Sequence, residues 1–141
     1  MSHTIGEKQF DDWNNTKKKS HYKENNVGFK EREIFWARIG QNIGAEEFGK
    51  GNEFQRPILI IRKLTAHIFI GIPLTSTVKD NDYFHTFEYD TKKGKVSSTA
   101  MILQLKTFDK KRLMTRIGML NKEDFEKVIE KARNLFIPPM K

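Results

Sequence analysis

Four aliphatic residues in succession, Ile58 to Ile61, sit inside the run RPILIIRKL from Arg56 to Leu64. A stretch that short, that rich in β-branched side chains and that apolar does not belong at a surface; it predicts a buried central strand. The rest of the chain must supply neighbours for its edges and cover for its faces. Arg56 stands where this strand leaves a long glycine-bearing loop, so rigid backbone anchors the side chain while its head-group is expected to face solvent or a ligand. That makes Arg56 the first candidate for chemistry.

Upstream, Glu33 to Ile39 (EIFWARI) is aromatic or aliphatic at nearly every position and predicts a first strand, packed on both faces or set in a barrel wall. The connection from Gly40 to Gln55 carries Gly40, Gly44, Gly49 and Gly51, and its length reads as a lid or binding loop beside Arg56. Downstream, Leu64 to Ala66 turns the chain into a third strand, His67 to Pro73. Thr75, Ser76 and Thr77 follow, and hydroxyls at a strand end either cap backbone groups or meet a ligand.

Beyond the polar loop Lys79 to Asp82, the alternating stretch Tyr83 to Tyr89 predicts a strand, Lys92 to Lys95 a turn at Gly94, and Ala100 to Leu105 another buried strand. Gln104 is an amide in an apolar run and needs partners from the core or from a ligand. Asp109 to Leu113 suits one helical turn capped by Asp109, and Arg116 to Met119 a short strand. The last element is a helix: Asn121 caps it, Glu123 and Asp124 occupy its first turn, and Pro138 and Pro139 stop it. Phe125, Val128, Ile129, Ala132, Leu135 and Phe136 share one of its faces. Short strands at close intervals closed by one helix predict a mainly β fold, a small, strongly bent antiparallel barrel of the SH3-like kind.

This barrel domain is expected over residues 31–141, preceded by a polar, lysine-rich extension over residues 1–30. In the extension, Phe10, Trp13 and the charge order from Asp11 to Lys19 predict a short amphipathic helix from about Glu7 to Ser20, and His21 to Phe29 a linker. Its lysines are either a solvated face or an RNA contact. Across the chain 26 basic residues outnumber 18 acids, and a net charge of +8 favours a polyanionic partner or serves solubility alone. There is no cysteine, which excludes disulfides, thiol nucleophiles and thiolate metal sites and makes a reducing cytoplasm the simplest location. Neither a secretory signal nor an apolar run of the ~18 residues needed to span a membrane is present, so a soluble protein with no membrane association is expected. The carboxylates show no ligand spacing, and His3, His21, His67 and His85 are scattered, so no metal, no cofactor and no histidine-pair mechanism is expected.

Four blocks occur in an order that is similar to one known family: GQNIG from Gly40, RPILII from Arg56, GIPLTS from Gly71, and QLKTFDKKRLMTRIG from Gln104 to Gly118. Together they resemble the MazF/PemK toxins of type II toxin–antitoxin systems, over roughly Glu33 to Phe136. The resemblance implies a barrel of the CcdB/PemK type and a metal-independent, sequence-specific endoribonuclease acting on single-stranded RNA. It also implies a homodimer and a cognate antitoxin that holds it inactive. Arg56 matches the family's catalytic arginine before proline, and Thr75 the catalytic threonine of its proline-x-threonine step. Gln104 falls on a glutamine lining the RNA groove, and with Lys106, Ser76, Thr77 and Lys79 it makes up the expected RNA-binding set. Three departures stand out. Met101 and Leu103 occupy places where some members carry an acidic or basic pair, Lys106 stands where relatives commonly have arginine, and the N-terminal extension is absent from the smallest members. Lysine keeps the charge there but loses the planar fork.

RNA carries its own nucleophile, the 2′-hydroxyl, so a ribonuclease has to align it, stabilise charge on the phosphate and move two protons. A guanidinium with a pKa above ~12 is a poor base. The role expected of Arg56 is therefore electrostatic, with Thr75 donating a hydrogen bond to the same phosphate; no residue is assigned as the proton acceptor. The products expected are a 2′,3′-cyclic phosphate and a 5′-hydroxyl. Other readings are an Arg56 merely paired to Glu46, Glu47 or Glu53, a catalytically idle RNA-binding module, and a gyrase-targeting toxin of the CcdB kind, whose members end in Trp-Gly-Ile where this chain ends Phe136 to Lys141.

Overall fold

A computed structural model describes residues 28–39 and 55–139. The expected N-terminal helix, the glycine-bearing loop and its three acidic residues lie outside the described residues. Within them the strands are β1 (Glu33–Arg38), β2 (Gln55–Lys63), β3 (Ile68–Thr75), β4 (Phe84–Thr91), β5 (Gly94–Met101), β6 (Lys106–Asp109) and β7 (Leu113–Met119), followed by helix α1 (Lys122–Asn134). They form one antiparallel sheet in the order β4-β5-β3-β2-β1-β7, with β6 paired to β3 off this path.

Strand β2 is flanked by β1 and β3, and Ile58 to Ile61 are all buried, as their composition demands. Alternation sends Leu59 and Ile61 into one core with Val128 and Ala132 of α1, and Ile58 and Ile60 into a second with Phe35, Phe69 and Phe108. Burying such side chains on both faces stabilises by roughly 1.5–3 kcal/mol each, which is why the sheet curls around this strand. The result is a half-barrel. Its two ends, β4 and β7, meet at Gly118, where an added Cβ would stand 2.6 Å from Tyr89 Cδ2 and 3.0 Å from the Asp90 carbonyl oxygen. Only a residue without a side chain fits there.

The expected strand from Ala100 to Leu105 is divided. Strand β5 ends at Met101, residues Ile102–Gln104 form a 3₁₀ turn, and β6 begins at Lys106. The cause lies in β3, which lends one edge to two partners: β5 pairs at Leu74 and Thr75, β6 at Ile68 to Gly71. The chain must step from one level of that edge to the other, and Leu103 is exposed on the step. Between β4 and β5 a two-residue turn, Lys92-Lys93, joins the paired Thr91 and Gly94. Gly94 has φ of +113°, a value that favours glycine.

Asp109 caps its single 3₁₀ turn by accepting from Lys111 N–H at 2.9 Å. Asn121 likewise caps α1, its Oδ1 accepting from Asp124 N–H at 2.8 Å. The helix ends at Asn134, before the two prolines, so Phe136 lies past its last turn and is exposed rather than packed with Val128. A polar latch joins α1 to β4: buried His85 shares a 2.9 Å hydrogen bond with Asp124, and Lys131 Nζ donates to Asp80 and to the Phe84 carbonyl.

Candidate active-site cleft

Arg56 is the second residue of β2, on the same face as Ile58 and Ile60. The register Ile58↔Pro73 runs the start of β2 beside the end of β3, so Arg56 lies next to Leu74 and Thr75. Its guanidinium donates through Nη1 to the Leu74 carbonyl at 3.1 Å. The residue is only 3% exposed, which corrects the expectation of a solvent-facing head-group. Arg56 nevertheless lines a cleft of about 1080 Å³ together with Thr75 and Ser76.

Thr75 is half-buried, and its Oγ1 accepts a 3.3 Å hydrogen bond from Thr77 N–H. A hydroxyl accepts with its lone pairs and donates with its proton, so this cap leaves the proton able to reach a ligand. Capping and ligand-binding readings of the threonine are compatible.

Further cations line the cleft with Arg56, namely Lys92 and Lys93 at the β4–β5 turn and Arg116 on β7, against Asp90 as the acidic residue in its lining. Cations converging in a concave surface raise the local concentration of an anionic ligand. Tyr89 also lines it; burial pushes its phenol pKa up, with a hydrogen bond to Ser98 pulling the other way, so it stands as a neutral hydroxyl.

Thr77, Lys79, Gln104 and Lys106 do not line this cleft. Lys79 is tied to β4, its N–H donating to Thr86 Oγ1 and its carbonyl accepting from the same hydroxyl at 2.6 Å. Gln104 is in the 3₁₀ turn, and Lys106 on β6 pairs with Gly71 on β3. Of the expected RNA-binding set, Ser76 alone is in the cleft lining. Trp36, Lys92, Lys93 and Arg116, which no sequence motif marks, line the cleft because β1 pairs with β7 and β4 approaches it, and Glu33 accepts from Arg116. Among the described residues, no three histidine or carboxylate side chains stand close enough to hold a metal ion. No helix there is long and apolar enough to cross a membrane.

Residues 30–136 match the family model of the PemK-like, MazF-like toxins of type II toxin–antitoxin systems. The chain belongs to this family. The PemK/MazF match begins just before β1 and runs past the end of α1, so it takes in every described element and leaves out the lysine-rich extension. No curated protein matches the chain.

Solved structures share the fold. A MazF from Deinococcus radiodurans superposes with a TM-score of 0.64 at 17% identity, covering 78% of this chain and 97% of its own. The Mycobacterium tuberculosis toxin MazF-mt6 does so with a TM-score of 0.57 at 18% identity, covering 77% and 100%. An endoribonuclease from a mycobacterial species, in complex with its cognate antitoxin, gives 0.60 at 13% identity, covering 80% and 100%. At such identities the PemK/MazF-like fold is what is held in common.

Proposed function

We propose that this toxin-family protein is a metal-independent endoribonuclease that cuts single-stranded RNA, mRNA included, at short specific sequences. The observation that carries the reading is Arg56, a guanidinium held through Nη1 by the Leu74 carbonyl, beside Thr75 in a cationic cleft. The 2′-hydroxyl attacks the adjacent phosphorus and the 5′ oxygen leaves. Negative charge gathers on the non-bridging oxygens as it does so. A guanidinium that lines the cleft, and a threonine hydroxyl beside it, stabilise that charge without rearranging. Burial strengthens the effect, because the fixed donors replace water around the phosphate.

The products are a 2′,3′-cyclic phosphate and a 5′-hydroxyl. The mycobacterial endoribonuclease is in complex with its cognate antitoxin, and a Deinococcus radiodurans MazF is found with MazE. By extension this chain is silenced by an antitoxin of its own, and we read it as a cytoplasmic homodimer.

The test is to incubate the purified protein with a long RNA in EDTA and analyse the ends. Fragments that polynucleotide kinase labels at the 5′ end without prior phosphatase treatment, and that carry a terminal cyclic phosphate, are expected. RNA that binds but stays whole would instead favour the idle binding module, and relaxation of supercoiled DNA the gyrase-directed reading.

A further inference from the structure

One large aromatic in the cleft has no part in the scheme above. Strand β1 buries Phe35 and Ala37 almost completely, yet Trp36 between them is 36% exposed and lines the cleft. Pro57, its partner in register on β2, lines the same cleft. Lys92, Lys93 and Arg116 line that cleft too. An indole in a cation-lined cleft matches what single-stranded nucleic acid presents, a base face flanked by phosphates.

The strand opposite is shaped to the same end. Phe35 pairs with Arg116 and Ala37 with Leu113, so Met114 and Thr115 both stand across from Trp36 in a bulge. Bulges re-aim side chains, and here Thr115 and Arg116 both enter the cleft lining. Arg116 is then held in place by Glu33, which is buried. The Glu33 carboxylate is fixed at both oxygens, Oε1 accepting from Lys30 N–H at 2.7 Å and Oε2 from Arg116 Nε at 2.5 Å. That contact uses one of the guanidinium's five donors and leaves a side chain 48% exposed.

We infer that Trp36 and Arg116 form a nucleotide subsite next to the Arg56–Thr75 pair: Trp36 stacks a base, and Arg116 grips a neighbouring phosphate. Glu33 is the positioning residue behind Arg116. The subsite rests on the ribonuclease reading and adds to it the part of the cleft that selects the nucleotide flanking the cut.

Binding of short, fluorescein-labelled 2′-O-methyl oligonucleotides, which lack the internal nucleophile, tests this by anisotropy over a range of salt concentrations. Trp36→Leu, or Trp36→Met should the first not fold, weakens binding about ten-fold, while Trp36→Phe keeps most of the affinity because a ring remains to stack. Neither change alters the salt dependence. Arg116→Gln lowers the slope of log K against log salt by about 0.7, the share of one phosphate on a single strand, and Arg116→Lys restores it. Folded Trp36→Leu and Trp36→Met proteins that bind as tightly as the parent, or an Arg116→Gln slope equal to the parent's, overturn the subsite. A parent protein that cuts unmodified RNA while those variants bind unchanged leaves the ribonuclease standing and removes only the subsite. A parent that neither binds the oligonucleotides nor cuts RNA removes both.

Discussion

Arg56 and Leu74 are joined by a 3.1 Å hydrogen bond from the guanidinium to the backbone carbonyl, which sets the charged group one residue before Thr75. Replacing Arg56 by Ala removes that donor and leaves a buried carbonyl without this partner, at a cost of about 1–3 kcal/mol in stability. Cleavage is expected to fall by a factor on the order of 10², as loss of one transition-state donor implies. Arg56→Lys separates the two effects. It keeps the charge and loses the fork, so its urea midpoint should recover more than its cleavage rate does.

Thr75 is expected to respond to the hydroxyl alone. Thr75→Ser keeps both the cap to Thr77 and the donor, and retains most activity; Thr75→Val preserves shape and loses cleavage by a factor on the order of 10². Equal activity of the folded Ser and Val proteins on one RNA would show that the hydroxyl has no part in the chemistry.

Gly118 is a mechanical test of the curled sheet. A Cβ there would meet Tyr89 Cδ2 at 2.6 Å and the Asp90 carbonyl at 3.0 Å, and the backbone oxygen cannot move aside as a flexible side-chain tip does. Gly118→Ala should lose about 1–3 kcal/mol by overpacking, read from denaturant midpoints. Since Tyr89, Asp90 and Gly118 all line the cleft, KM for RNA should rise as well.

The latch between α1 and β4 is expected to fail in acid. Burial pushes the Asp124 carboxyl up, but hydrogen bonds from His85 and Asn121, with the charges of His85 and Lys127, outweigh it and hold its pKa below the usual carboxylate range. A carboxyl lowered on folding contributes stability above its unfolded value and loses that contribution as pH falls through the folded value, here below about 4. Asp124→Asn should therefore cost on the order of 1 kcal/mol near neutrality, a difference that shrinks in acid. Urea midpoints of the two proteins across that range give the answer.

What the sequence disclosed was what local pattern controls. Ile58 to Ile61 announced the central strand, Asn121 and Asp109 their caps, and Gly94 its turn. Each depends on neighbours a few residues away. The split after Met101 was hidden, because it arises from β3 serving β5 and β6 on one edge, a constraint written some thirty positions earlier. Phe136 kept the helical spacing but lay beyond the helix end. In the cleft, Arg56 and Thr75 could be singled out by their blocks. Glu33 and Arg116 could not: they are 83 residues apart, and nothing in either segment names the other.

A strand buried on both faces along Ile58 to Ile61 has no second alignment open to it: shifted by one residue, β2 would trade the contents of two cores at once. The position of Arg56 is thereby inherited from Ile58 to Ile61, much as a jig fixes the tool clamped in it. Substitutions among those four residues should blunt RNA cutting without touching RNA, and the reproducibility of the chemistry is set by how tightly grease is packed behind it.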